Sequence, residues 1–140
     1  MKQHLDRLAA SKLLRFGAVG GAGFFVNEAA LFFAKAVLHL GDHPAWLFGF
    51  AAAVTFTWWG NRTFTFHEHK SRSIVAEWAR FVATNSLGAL ANYAVYALLV
   101  EFAPWPVNVP YAALFFGVVV GMAFNFTLSK KLVFRPHKEA

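Results

Sequence analysis

The side chains best placed for chemistry in this chain are polar groups stranded in apolar runs, and Glu28 is the most informative of them. It lies within Phe16 to Phe33, eighteen residues in which only Asn27 and Glu28 are strongly polar. If Phe16 marks one edge of a bilayer, a rise of about 1.5 Å per residue puts Glu28 about 18 Å across, at or slightly beyond the midplane. An ionised carboxylate there costs at least ~2.5 kcal/mol, so it must be neutral, paired or in contact with water. Lys35 lies two turns on and about 10 Å away in rise, too far for a direct pair within one helix. The chemistry open to Glu28 is therefore proton exchange or hydrogen bonding to a polar cargo, with a protonated carboxyl in a helix contact as the structural alternative.

Asn27 belongs to a repeated design. Arg15–Ala34, RFGAVGGAGFFVNEAALFFA, returns sixty-five residues later as Arg80–Leu99, RFVATNSLGALANYAVYALL. Arg15, Phe16, Ala18, Gly23, Asn27 and Ala29 recur as Arg80, Phe81, Ala83, Gly88, Asn92 and Ala94. This is an internal duplication. Asn27 follows Gly23 and Gly20, and Asn92 follows Gly88 and Asn85; spacings of three and four put each set on one helical face. Two such stripes could line a polar crevice, or serve as interhelical hydrogen bonds worth about 0.6 kcal/mol each.

A second matched pair closes each half. Phe56–Phe66, FTWWGNRTFTF, is answered by Phe124–Phe134, FNFTLSKKLVF, so that Asn61-Arg62 and Ser129-Lys130-Lys131 fall at corresponding places among aromatic residues. Asn125 lies just ahead of the second cluster. Such a collar is either an ordinary cationic anchor at the headgroups or a grip on a lipid phosphate, for which Arg and Lys are natural donors.

The elements that position these groups are membrane helices. Only 14% of the 140 residues are charged, 58% are hydrophobic, and there are seventeen Phe and five Trp, a composition that water-exposed surface cannot accommodate. Four spans are expected, at about 16–37, at 45–60 with an extension through Asn61-Arg62-Thr63, at 81–100, and from about 107 or 111 to 128. Pro44 suits the first turn of the second helix, and Trp46 and Trp58-Trp59 are plausible interface anchors. Gly17-x-x-x-Gly21 and Gly117-x-x-x-Gly121 permit close helix approach. Residues 1–14 suit a short amphipathic interfacial helix, or a frayed basic terminus, and Ile74, Trp78, Phe81 and Val82 suggest its counterpart before the third span.

Four basic residues precede the first span, four lie between spans two and three, and four follow the fourth, including Arg135 and Lys138. Both termini are thus expected to be cytoplasmic, and the chain reads as one domain over 1–140 with parallel repeats at about 5–66 and 73–135.

With no Cys and no ligand-like spacing among the six His, the chain carries no zinc or redox signature. A cleavable signal peptide is opposed by the length of the first apolar run, beyond the usual span of about 7–15 residues, and by its internal recurrence. Without a nucleophile–base pair or a phosphate loop, no enzyme is expected. The net charge of +6 is accounted for by the flanks of the spans, so no nucleic acid partner is expected either.

The ordered set RF-x-x-V-G-G, N-R-x-F-x-F, RF-x-x-x-N and N-F-x-x-S-K-K-x-V-F resembles the GtrA family of small four-helix membrane proteins, across nearly the whole chain. What the resemblance implies is translocation of a polyprenyl-phosphate-linked sugar, such as undecaprenyl-phosphate glucose, across a bacterial inner membrane for cell-surface polysaccharide synthesis. Two departures are visible: the acid is at Glu28 where many members carry it at the position of Asn27, and Ser129-Lys130 replaces the usual Asn-Arg. On this reading Arg62, Lys130, Lys131 and Asn61 would bind phosphate, and Glu28, Asn27, Asn92, Asn85 and Asn125 would serve the sugar or a proton. No cofactor is implied. The partners are the lipid-linked sugar, membrane lipids, glycosyltransferases of the same pathway and a second copy in a homodimer or larger assembly. Two rival readings remain, a non-transporting subunit that recruits or regulates a glycosyltransferase, and a proton-coupled exporter of small cations.

Overall fold

The computed structural model describes residues 2–134. It contains four long helices, α1 (Lys2–Ala36), α2 (Asp42–Gly60), α3 (Ile74–Phe102) and α4 (Pro110–Leu128), and no strand among the described residues. The helices α2 and α4 each run on into a single wide turn, Asn61–Thr65 and Ser129–Val133, closed by hydrogen bonds donated from Phe66 N to Asn61 O and from Phe134 N to Ser129 O, both 2.8 Å. The i→i+5 spacing of these bonds makes both segments π turns.

The segments expected as separate interfacial helices are instead the first turns of α1 and α3. Neither 2–16 nor 74–87 contains Pro or Gly, so nothing interrupts a helix once it has started. Ser73 starts α3 by accepting a hydrogen bond from Ala76 N on its Oγ at 3.4 Å. The helix α2 begins at Asp42, two residues before Pro44, which sits within the first turn. The side chains at 2–6, and residues 135–140 with Arg135 and Lys138, lie outside what is described.

The surface is inverted relative to a soluble protein. Phe25, Phe32, Val75 and Phe102 are more than 70% exposed, whereas Asn61, Thr65, Glu77, Thr84 and Ser129 are buried. Such an exterior is stable only against hydrocarbon. Ala10–Ala36 and Ala112–Val133 are long and apolar enough to cross a membrane. The chain is a helical membrane protein.

The helices pack as two hairpins, α1 on α2 and α3 on α4, and the same contacts hold both. A Cβ on Gly49 would lie 3.0 Å from Asn27 Oδ1 and 3.5 Å from Leu31 Cβ; one on Gly117 would lie 2.5 Å from Asn92 Oδ1 and 3.5 Å from Tyr96 Cβ. Glycine is needed at each place because the facing helix leaves no room for a side chain. The hairpins meet where Phe66 and Phe134 stack with ring centroids 4.7 Å apart. Phe16 meets the edge of Phe66 at 6.3 Å, and Phe81 that of Phe134 at 6.2 Å. Paired aromatic rings contribute about 0.5–1.5 kcal/mol beyond the area they bury. This cluster therefore fastens the two hairpins at the end of the bundle that carries the π turns.

Beside it, the 66–73 connector is tied to α1 by Lys12 Nζ, which donates to Glu68 Oε2 at 3.2 Å. The Lys12 ammonium holds the Glu68 carboxyl below its ordinary range. The tie is thus present above that ordinary range and is lost as pH falls through the lowered value. Carboxyl NMR should show Glu68 titrating below a free glutamate in the wild type and returning to the ordinary range in Lys12→Ala.

Candidate functional site

Between the hairpins lies a cavity of about 580 Å³ whose polar lining is Asn27, Asn61, Asn85, Asn92, Asn125 and Thr57. Among the described residues, no charged side chain lines it. The asparagines arrive there by helical periodicity. Asn27 and Asn92 face inward on α1 and α3, Asn85 is two turns before Asn92, Thr57 and Asn125 come from the last turns of α2 and α4, and Asn61 opens the π turn after α2. Of the glycines between them, Gly20 faces open space, whereas Gly23, Gly88 and Gly121 let Thr57, Asn125 and Asn92 lie close against the helix.

Part of this polar lining is already engaged. Asn61 Oδ1 accepts from Thr65 Oγ1 at 2.8 Å, Asn85 Nδ2 donates to Phe81 O at 3.1 Å, and Thr57 Oγ1 donates to Ala53 O at 2.9 Å. Asn125 Oδ1 is buried against Gly88 and has no hydrogen-bond partner, as is Ser129 Oγ, which occupies the place on the second π turn that Asn61 holds on the first. Amide groups donate and accept together, so a cavity lined by them suits neutral hydroxylated ligands. Its volume falls within the roughly 300–1,000 Å³ typical of small-molecule sites.

Glu28 does not line this cavity. Its side chain is on the exposed side of α1 and is connected to the cavity only through Asn27, whose Nδ2 donates to Glu28 Oε1 at 3.2 Å. A one-residue offset from Asn27 is about 100° on a helix, enough to turn the carboxylate outward.

The basic residues gather at the end fastened by the phenylalanine cluster. Arg62 is only 17% exposed, and its guanidinium donates to Glu77 Oε1 at 2.6 Å while lying 6.0 Å from the Trp58 ring centroid. The Glu77 carboxylate is fully buried. It accepts also from Trp58 Nε1 at 3.1 Å and, on Oε2, from Ser71 N at 2.6 Å. Lys130 and Lys131 lie exposed on the second π turn, and Arg15 donates to Phe64 O at 3.3 Å. Of the four residues expected to bind phosphate, Asn61 thus belongs to the cavity floor, Arg62 is engaged by Glu77, and the two lysines face outward.

Two features escape the sequence reading. Trp58, expected as an interface anchor, turns inward to Glu77, whereas Trp59 and Trp46 remain exposed. Glu77 follows a charged connector on an amphipathic stretch and reads as a solvated acid. The available signal is a lone carboxylate one turn beyond the Ser73 cap, in a region otherwise rich in cations that would need a counter-charge.

The fold and site define a helical membrane protein with a neutral, amide-lined cavity and a basic rim at one end. The GtrA/DPMS transmembrane-domain model matches residues 15–134, so the chain belongs to that family. No curated protein matches it.

Proposed function

We propose that the protein translocates a polyprenyl-phosphate-linked monosaccharide across the bacterial inner membrane for cell-surface polysaccharide synthesis or glycosylation. On this reading the chain makes four spans as two parallel hairpin repeats, with both termini cytoplasmic. The observation that carries it is the uncharged asparagine lining of the 580 Å³ cavity, set above a rim of Arg62, Lys130 and Lys131. A sugar exchanges water for the amides of Asn27, Asn85, Asn92, Asn125 and Asn61, the phosphate stays with the cations at the rim, and the polyprenyl tail remains in lipid. No bond is made or broken, and the passage needs only shelter for one polar headgroup.

Glu28 takes no part in binding hydroxyls in this scheme. The working unit is a homodimer whose contact leaves the Gly20 and Gly21 side of α1 clear. A cation exporter would need its acid inside the cavity, and Glu28 stands outside it.

The test is transfer of labelled polyprenyl-phosphate hexose between leaflets of liposomes holding the purified protein. Wild type is expected to transfer it. Asn92→Ala, which removes the amide without overfilling its contact with Gly117, should slow transfer about 2–10-fold, the equivalent of roughly 0.5–1.5 kcal/mol for one hydrogen bond. If wild type transfers no lipid, the reading fails and recruitment of a glycosyltransferase takes its place.

A further inference from the structure

The cavity is not enclosed, and its two lateral seams differ. The seam between α2 and α3 is tied at the basic end by polar side chains: Trp58 and Arg62 both reach Glu77 across it, and Trp78 Nε1 donates to Thr55 Oγ1 at 3.1 Å. The seam between α1 and α4 is fastened only near the basic end, where the Phe16 and Phe126 rings meet at 5.6 Å and a Cβ on Gly17 would touch Met122 Sδ at 3.4 Å. About one turn farther along, positions Gly20 and Gly21 have nothing within 4 Å of where a Cβ would stand, and Phe24 and Val118 are exposed beside them. Contacts between α1 and α4 are correspondingly sparse.

The mouth of a polar cavity therefore opens sideways, through an apolar slot, on a surface that faces hydrocarbon. A water-soluble solute would have no path through such a mouth, whereas an amphiphile can keep its chain in the slot and its headgroup among the asparagines. We infer that the seam between α1 and α4 is the lateral portal of the protein, and that it holds the isoprenoid chain of the lipid-linked sugar while the sugar occupies the cavity. This rests on the transport reading above. The glycines serve as the doorway because any larger side chain would project into the slot; since Gly20 and Gly21 face open space, filling them leaves helix packing intact.

The test uses the full chain in polyprenyl-phosphate-containing vesicles. Gly21→Trp should lose most of the leaflet-to-leaflet transfer seen for wild type. Ser86→Trp, at the corresponding place on α3 and outside the cavity lining, should keep the wild-type rate with the same melting temperature. Benzoylphenylalanine in place of Gly21 should form an adduct of polyprenyl-phosphate mass on irradiation, and the same group in place of Ser86 should not. Unchanged transfer in Gly21→Trp would overturn the portal. So would an adduct at Gly21 made only with bilayer phospholipid or with a second copy of the chain. If wild type itself transfers nothing, the transport reading falls, but the cross-link still decides whether the seam takes an isoprenoid chain.

Discussion

Glu77→Ala is expected to lower the unfolding free energy by about 3–5 kcal/mol, the range for removing one partner of a buried ion pair. The Glu77 carboxylate is fully buried and accepts from Arg62, Trp58 Nε1 and Ser71 N. Its loss strands the guanidinium, the indole N–H and a backbone N–H together, and each unmet donor carries its own desolvation cost of about 1–3 kcal/mol. Arg62→Ala should be comparably damaging, for it leaves the carboxylate buried without its cation. The double variant Arg62→Met with Glu77→Leu should recover much of the loss, because a buried pair replaced by apolar groups of similar volume is often near neutral. Reversible denaturation in detergent measures all three. Additive losses in the double variant would show that the two residues do not act as a pair.

Gly117→Ala should cost about 1–3 kcal/mol, the range for overpacking a close contact, offset in part by the roughly 1 kcal/mol that alanine gains as a helix former. A Cβ on Gly117 would lie 2.8 Å from the Asn92 carbonyl oxygen, a backbone atom that cannot rotate aside, so α3 and α4 must separate. Gly49→Ala, in the equivalent contact of the first hairpin, meets Asn27 O at 3.1 Å and should be milder. The same detergent denaturation decides the order. A Gly117→Ala variant as stable as wild type would mean that the second hairpin is not held by this close approach. Because Asn92 also lines the cavity, Gly117→Ala is expected to impair transfer as well as stability.

The two variants bear on different parts of the molecule for a common reason. Glu77 locks the seam between α2 and α3 at the basic end, and Gly117 sets how closely α4 lies against the stripe that carries Asn92. A rigid rear seam and a closely packed second hairpin leave α1, with its open glycines, as the side of the cavity free to admit a ligand.

By itself the sequence determined the helices, the pairing of Asn27 with Asn92, and the basic clusters that end α2 and α4. Those are local matters: apolar runs, helical periodicity and a repeat at constant spacing are visible along one dimension. It also located the glycines that allow close approach, though not which atoms approach. Tertiary structure alone decided that Glu28 points away from the cavity, that Arg62 is held by a buried Glu77, and that Gly20 and Gly21 face open space beside α4. Each of these depends on how a helix is rotated about its axis against a neighbour distant in sequence. A difference of one residue changes that rotation by about 100°, and no pattern within a single helix reveals which face the neighbour will cover.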